Sequence, residues 1–228
     1  MRDRLALHCP GRPAATVTWR DGLVPHAAAL RPNSLFTSLR TGRRMRAWRP
    51  AERALVIVLD TLPAWGDFRL HPATVDFWHR GVQRKVAPVL WACPADKSGG
   101  TFYDWTETHA QAGSGHESML HDLQMQLQPH GLGYALLRQD DLISPPRVEL
   151  AIEVRRHALQ PVDAVVREHV RREIARSGGL DFHAAMHGEI SGLNAEIVCR
   201  LVVEGMLRLV PSDRLRPDTR VELSEPPN

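Results

Sequence analysis

The clearest alternation of apolar and polar positions lies in the last third of the chain, in "NAEIVCRLVVEGMLRLVPSDRLRPDTRVEL". Ile197, Val198, Leu201 and Val202 recur at helical spacing, which predicts a helix over Leu193–Glu204. Gly205 supplies a left-handed stop. Met206–Val210 and Thr219–Leu223 read as two short strands joined through Pro211-Ser212-Asp213. Upstream, Val162–Arg176 carries Val162, Val165, Val166, His169, Val170 and Ile174 on one stripe, with Asp163 in its first turn and Ser177-Gly178-Gly179 at its end. Leu180–His187 fits a short helix, and Gly188 and Gly192 bracket a turn before the next one. Three helices followed by a hairpin is the order of a winged helix-turn-helix.

The middle of the chain mixes periods. Pro50 opens a helix whose stripe is Ala51, Leu55, Val58, Leu59 and Leu62, with Glu52 in the first turn. "DFRLHPATVDFWHRG" reads as strand, turn, strand; "QRKVAPVLWACP" and "GGTFYDWTET" carry further strands. "HESMLHDLQMQLQ" is a helix, closed by a turn at Gly131 and Gly133, and "YALLR" is a strand. Helix, β-meander, helix, strand is the order of a restriction-endonuclease-like core. The fold class expected is therefore α/β (α+β): a mixed sheet flanked by helices, followed by the winged-helix unit. Residues 1–45, rich in Arg, Pro, Gly and Ser, read as a basic arm; 46–144 as the nuclease-like domain; and 147–228 as the helical domain, with Pro145-Pro146 at the boundary.

Composition changes this picture little. Of 228 residues, 43% are hydrophobic and 24% charged, as in ordinary globular proteins. The longest apolar run, Ala54–Leu59, is too short to cross a bilayer. The N-terminus has no apolar signal core, and Cys9, Cys93 and Cys199 are scattered and odd in number, which together suit a cytoplasmic protein. Charge adds more. The net charge is +3, yet residues 1–50 hold ten arginines against Asp3 and Asp21, a local +8, so the rest sums to −5. Phosphate is one natural partner for such an arm, and a solvated leader is the plain alternative.

Several motifs are excluded. His116 and His121 in "HESMLH" are five apart, about 140° round a helix, so they do not form a zincin pair. His183 and His187 have i, i+4 spacing but no adjacent acid or cysteine. "SGG" at Ser98 lacks the rest of a phosphate loop, and no nucleophile elbow is present.

An ordered series of segments resembles the TnsA-type endonuclease subunits of heteromeric transposases, over residues 34–223. It comprises "WRPAERALVIVLDTLPAW", an "HP" where the family often has "QP", an "AP" strand in place of "PD", and "YDWT" in place of (D/E)xK. "GLGYALLRQDDLISPPRVELA" and the tail to Leu223 complete it. The resemblance implies a DNA-transposition protein with Glu52 and Asp104 as catalytic and metal-ligating residues, Mg²⁺ as cofactor, and DNA, a DDE-type transposase and an ATPase regulator as partners. Phosphodiester cleavage needs Mg²⁺ on hard oxygen ligands, usually with a lysine nearby. Here Val89 stands at the central aspartate position and Thr106 at the lysine position, so a weakened or lost metal site is expected. Candidate DNA-contacting cations are Arg40, Arg43, Arg44, Arg46, Arg200, Arg208, Arg214, Arg216 and Arg220. Two alternatives stand beside this reading: an active Mg²⁺ endonuclease whose ligand is relocated to Asp76 or Asp96, and a winged-helix regulator.

Overall fold

The protein was analysed as a computed structural model, which describes residues 14–20, 34–95, 99–106, 114–188, 192–211, 216 and 218–224. It is a mixed α/β structure with seven α-helices and four sheets among the described residues. No described helix is long and apolar enough to cross a membrane.

The basic arm is not simply an arm. Thr16–Trp19 forms β1, antiparallel to β5 (Ala73–His79), with Thr16 opposite Asp76. Ser34–Thr37 (β2) and Arg44–Ala47 (β3) form a hairpin. The reason is apolar anchoring: Trp19 lies against Trp91 and Phe102 at centroid distances of 5.8 and 5.4 Å, and Met45 and Ala47 are buried.

Helix α1, Pro50–Leu59, follows as its stripe predicts. The next strands do not make the expected meander. β4 (Trp65–Leu70) joins the sheet β4-β7-β8-β9, whereas β5 pairs with β1 and β6 (Val82–Val86) in a separate sheet. The His71-Pro72 turn thus passes the chain between sheets instead of closing a hairpin. A hairpin does form between β5 and β6, where Arg80 and Gly81 both take positive φ, 50° and 76°. β7 (Leu90–Pro94) is antiparallel to β4 and to β8 (Thr101–Thr106), and β8 runs parallel to β9 (Gly133–Arg138). Helix α2 (Ser114–Leu127) supplies the crossover. Leu55 and Leu59 of α1 pack with Phe68, Leu70 and Leu90, while Leu123 and Leu127 of α2 pack with Phe77, Phe102 and Tyr134.

After the short α3 (Gln139–Leu142), the proline pair opens a helix: α4 spans Pro145–His157. The first turn of a helix has no acceptors for its N–H groups, so two prolines cost nothing there. α4 is apolar on two sides. Leu150 and Val154 enter the C-terminal core, and Ala151 meets Ile57 and Val58 of α1. α5 (Ala164–Ser177), β10 (Leu180–Asp181), α6 (Phe182–Met186), α7 (Ala195–Val203), β11 (Leu207–Val210) and β12 (Arg220–Leu223) complete the chain. Their strands form one sheet in the order β10-β12-β11. Asp163, Asp181 and Asn194 each cap the helix that follows through a side-chain oxygen. Val170, Phe182, Val198, Leu201, Leu207 and Val221 close a single core.

Candidate active site

Glu52 is set by the start of α1. Arg49, in extended conformation, is the N-cap, Pro50 fixes the first turn, and Glu52 falls at the third helical position, where a glutamate folds back onto the entering chain. Its Oε2 accepts the N–H of Trp48 at 2.7 Å and of Arg49 at 3.3 Å. His71 Nε2 lies 3.2 Å from the same oxygen. Glu52 is 2% exposed. Burial alone would push its carboxyl up; the His71 bond, the two backbone donors and the His71 charge outweigh burial and hold it below the usual range.

His71 follows β4 directly. Its backbone is left-handed, φ 46°, an uncommon conformation for a residue with a Cβ. It is held there from both ends. Its N–H donates to the Val89 carbonyl at 2.8 Å, and its ring stacks on Trp48 with centroids 4.0 Å apart and planes 12° off parallel. Strain of this kind gathers where a side chain must be aimed.

Asp104 lies on β8, beside β9. Oδ1 accepts the Trp105 N–H at 2.9 Å, and the Tyr134 hydroxyl donates to Oδ2 at 3.3 Å. Burial pushes this carboxyl up, against the two hydrogen bonds and the charges of Arg49 and His71. Burial also raises the Tyr134 hydroxyl, and the neighbouring Asp104 carboxylate adds to that shift. Asp104 and Glu52 are therefore in the field of the same imidazole. His71 follows Leu70, whose register row runs through Leu90 to Tyr103, so the Glu52–His71 pair and Asp104 lie toward the same end of β4 and β7, with no hydrogen bond joining the two acids.

The other two positions supply neither a carboxylate nor a cation. Val89 donates its N–H to Tyr103 at 3.0 Å and packs its side chain against the core beneath α1. Thr106 pairs in register with Arg138 of β9. Asp76 belongs to the other sheet and lies 3.3 Å from Lys85, so it does not replace the missing carboxylate. Asp96, Lys97 and Glu107 fall outside the described residues. Among the described residues, no three His, Cys, Asp or Glu side chains are grouped to hold a metal. Mg²⁺ demands converging, ionised oxygens. Glu52 already serves three donors through one oxygen, Asp104 is biased toward its neutral form, and Val89 is apolar, so these residues do not fit the ion.

The expected DNA-contacting arginines divide into two groups. Arg40 is an internal clamp. Nε and Nη2 donate to the Asp60 carbonyl at 3.3 Å each, Nη1 to Trp65 O at 3.4 Å and Nη2 to Val202 O at 3.2 Å. Burial lowers its guanidinium to about 10, against the pull of Asp60. Arg43 binds both oxygens of Asp67. Arg200 pairs with Glu204 at 2.8 Å and also donates to Ala158 O, and Arg208 grips Glu222 across the hairpin. Arg40 and Arg200 are largely enclosed by these contacts, whereas Arg43 and Arg208 hold half-exposed surface pairs. Arg44 and Arg220 are exposed, Arg46 and Arg216 are half-buried, and Arg214 lies outside the described residues.

Sequence reading missed a second buried acid. Asp60, at the other end of α1, is 0% exposed. It accepts from Ser38 Oγ, from the N–H groups of Leu39 and Arg40 at 3.0 and 3.3 Å, and from Arg155 of α4. Arg155 also reaches Thr37 O. This joint holds the β2–β3 hairpin, α1 and α4 together, and Arg40 extends it to α7. A Cβ on Gly205, whose φ is 81°, would sit 2.9 Å from Arg40 Nη1. Only that cap glycine's missing side chain signals the joint in the sequence.

No family model matches the chain, and no curated protein matches it significantly in sequence.

Proposed function

We propose that the chain is a TnsA-like subunit of a DNA transposition system, a DNA-associated protein that works with a transposase and whose endonuclease site is weakened or lost. The observation that carries the reading is the buried Glu52–His71 pair with Asp104 in the field of the same imidazole, and with Val89 and Thr106 at the two remaining motif positions. A β4-β7-β8-β9 sheet between α1 and α2, with a parallel final pair, suits a restriction-endonuclease-like core. Three helices with a β10-β12-β11 sheet suit a winged helix.

The winged-helix regulator is less well supported. The helix that would read bases, α7, buries Val198, Cys199, Leu201, Val202 and Val203, carries Glu196, and ties Arg200 to Glu204. Backbone contact through Arg44, Arg46, Arg216 and Arg220 suits the proposed role better, since phosphate contacts position a protein without reading sequence.

Two measurements test this reading. Supercoiled plasmid incubated with the protein and Mg²⁺ or Mn²⁺ stays unnicked, and a DDE-type transposase encoded beside the gene co-purifies with the chain. Nicking that vanishes in Glu52→Ala and Asp104→Ala makes the protein an active endonuclease instead. A discrete operator footprint without transposase association makes it a regulator.

A further inference from the structure

A groove of about 700 Å³ runs between α1 and α4. Its walls are two helical stripes. Arg49, Arg53, Ala54 and Ile57 come from the α1 side, at helical spacing; Val148, Ile152, Arg155 and Leu159 come from the α4 side, again at i, i+4, i+7, i+11. Its exposed apolar surface is Ile152, 47% exposed, and Leu159, 64% exposed, while Ile57 is buried and Val148 packs against its cluster. Leu150, Ala151 and Val154 are spent on the protein's own packing, and the Ile152 stripe is left over.

The rim is cationic throughout. Arg49, Arg53, Arg155 and Arg156 border the groove, and none of its eleven lining residues is acidic. Arg155 is committed to Asp60, but Arg156 makes only a surface pair with Glu153 at side-chain exposures of 70% and 33%, which contributes little and can be exchanged. Arg53 is exposed.

We infer that this groove docks an acidic amphipathic helix of a partner protein, its apolar stripe on Ile152 and Leu159 and its carboxylates on Arg53 and Arg156. α4 has 13 residues, about 20 Å at 1.5 Å per residue, which matches a partner helix of three to four turns. Charge complementarity selects an acidic occupant, and the exposed apolar surface selects protein over nucleic acid, whose interfaces are more polar. The inference is independent of the transposition reading.

The test uses the full chain and a fluorescein-labelled 18-residue peptide with leucines at i, i+3, i+4 and i+7 and glutamates elsewhere. A scrambled peptide of the same composition and a labelled 20-base-pair duplex are the comparisons. By anisotropy, the amphipathic peptide binds about tenfold more tightly than the scrambled one. Arg53→Glu with Arg156→Glu removes that preference, and so does Ile152→Ser with Leu159→Ser, while the thermal midpoint is unchanged. All four positions are exposed, so the two pairs test charge and apolar contact separately. Equal binding of both peptides overturns the inference. So does a loss of duplex affinity in the charge-reversed protein with peptide binding intact, which makes the groove a DNA site. Light scattering that shows a dimer dissolved by Leu159→Ser makes the occupant a second copy, and overturns it too.

Discussion

Helix α1 carries a buried acid at each end, and the two are neutralised in different ways. Glu52, in the first turn, has the helix dipole in its favour, takes two backbone N–H groups and pairs with the His71 imidazole. Asp60, at the C-terminal end, opposes the dipole and is fully enclosed, so it depends on a guanidinium and on the backbone of the turn at 38–40. One acid sits against a titratable neighbour, His71. The other is a joint between elements far apart in the chain. A buried carboxylate in a helix therefore says little about function until its counter-charge is known: an imidazole at a strained turn marks a candidate site, and an arginine from a packed helix marks architecture.

Removing Asp60 separates the two ends most sharply. Asp60→Ala leaves Arg155 and the 38–40 turn without their acceptor, and urea unfolding should show a loss of about 3–5 kcal/mol, as when one partner of a buried pair is deleted. Glu52→Ala should cost about 1–2 kcal/mol by the same measurement, the scale of a lost cap. A Glu52 penalty as large as that of Asp60 would remove the distinction. The pH dependence of the Glu52 term has a definite sign. Its folded pKa lies below the ordinary 4.5, so its contribution is complete above 4.5 and is lost as pH falls toward the folded value. Wild type minus Glu52→Gln stability, followed through acid, should shrink over that window and not above it. Asp104 gives the smallest effect and the opposite sign. Its pKa is raised above 3.8, so ionisation penalises the fold, and Asp104→Asn should modestly stabilise the protein at neutral pH. The gain should fade through the raised pKa and be gone below 3.8.

How much of this the sequence carries depends on the range of the interactions. α7 and the closing strands are legible because Ile197, Val198, Leu201 and Val202 and the Gly205 stop are local signals. α4 is hidden from an amphipathic reading because its apolar residues serve two sides. The strand-turn-strand pattern at 65–79 looks the same whether the turn closes a hairpin or passes the chain between sheets, and the tertiary packing chose the second. Glu52, Asp104 and the histidine before Pro72 were visible as an ordered motif. Their shared field was not, and neither was the Asp60 joint, whose partner Arg155 is 95 residues away. Arg40 shows the limit of counting charges: ten arginines in fifty residues suggest phosphate, yet this one is spent on carbonyls, one of them 162 residues away.

The central claim is that Glu52 is taken up by the Trp48 and Arg49 N–H groups and by His71, so that the acids at the sheet end do not hold a divalent ion. Calorimetric titration with Mn²⁺ at neutral pH tests it directly. The account predicts no saturable binding to the wild-type chain and a single site in the Val89→Asp, Thr106→Lys variant, where a third carboxylate joins the pair. One saturable Mn²⁺ site in the wild type, abolished by Glu52→Gln or by Asp104→Asn, would contradict it.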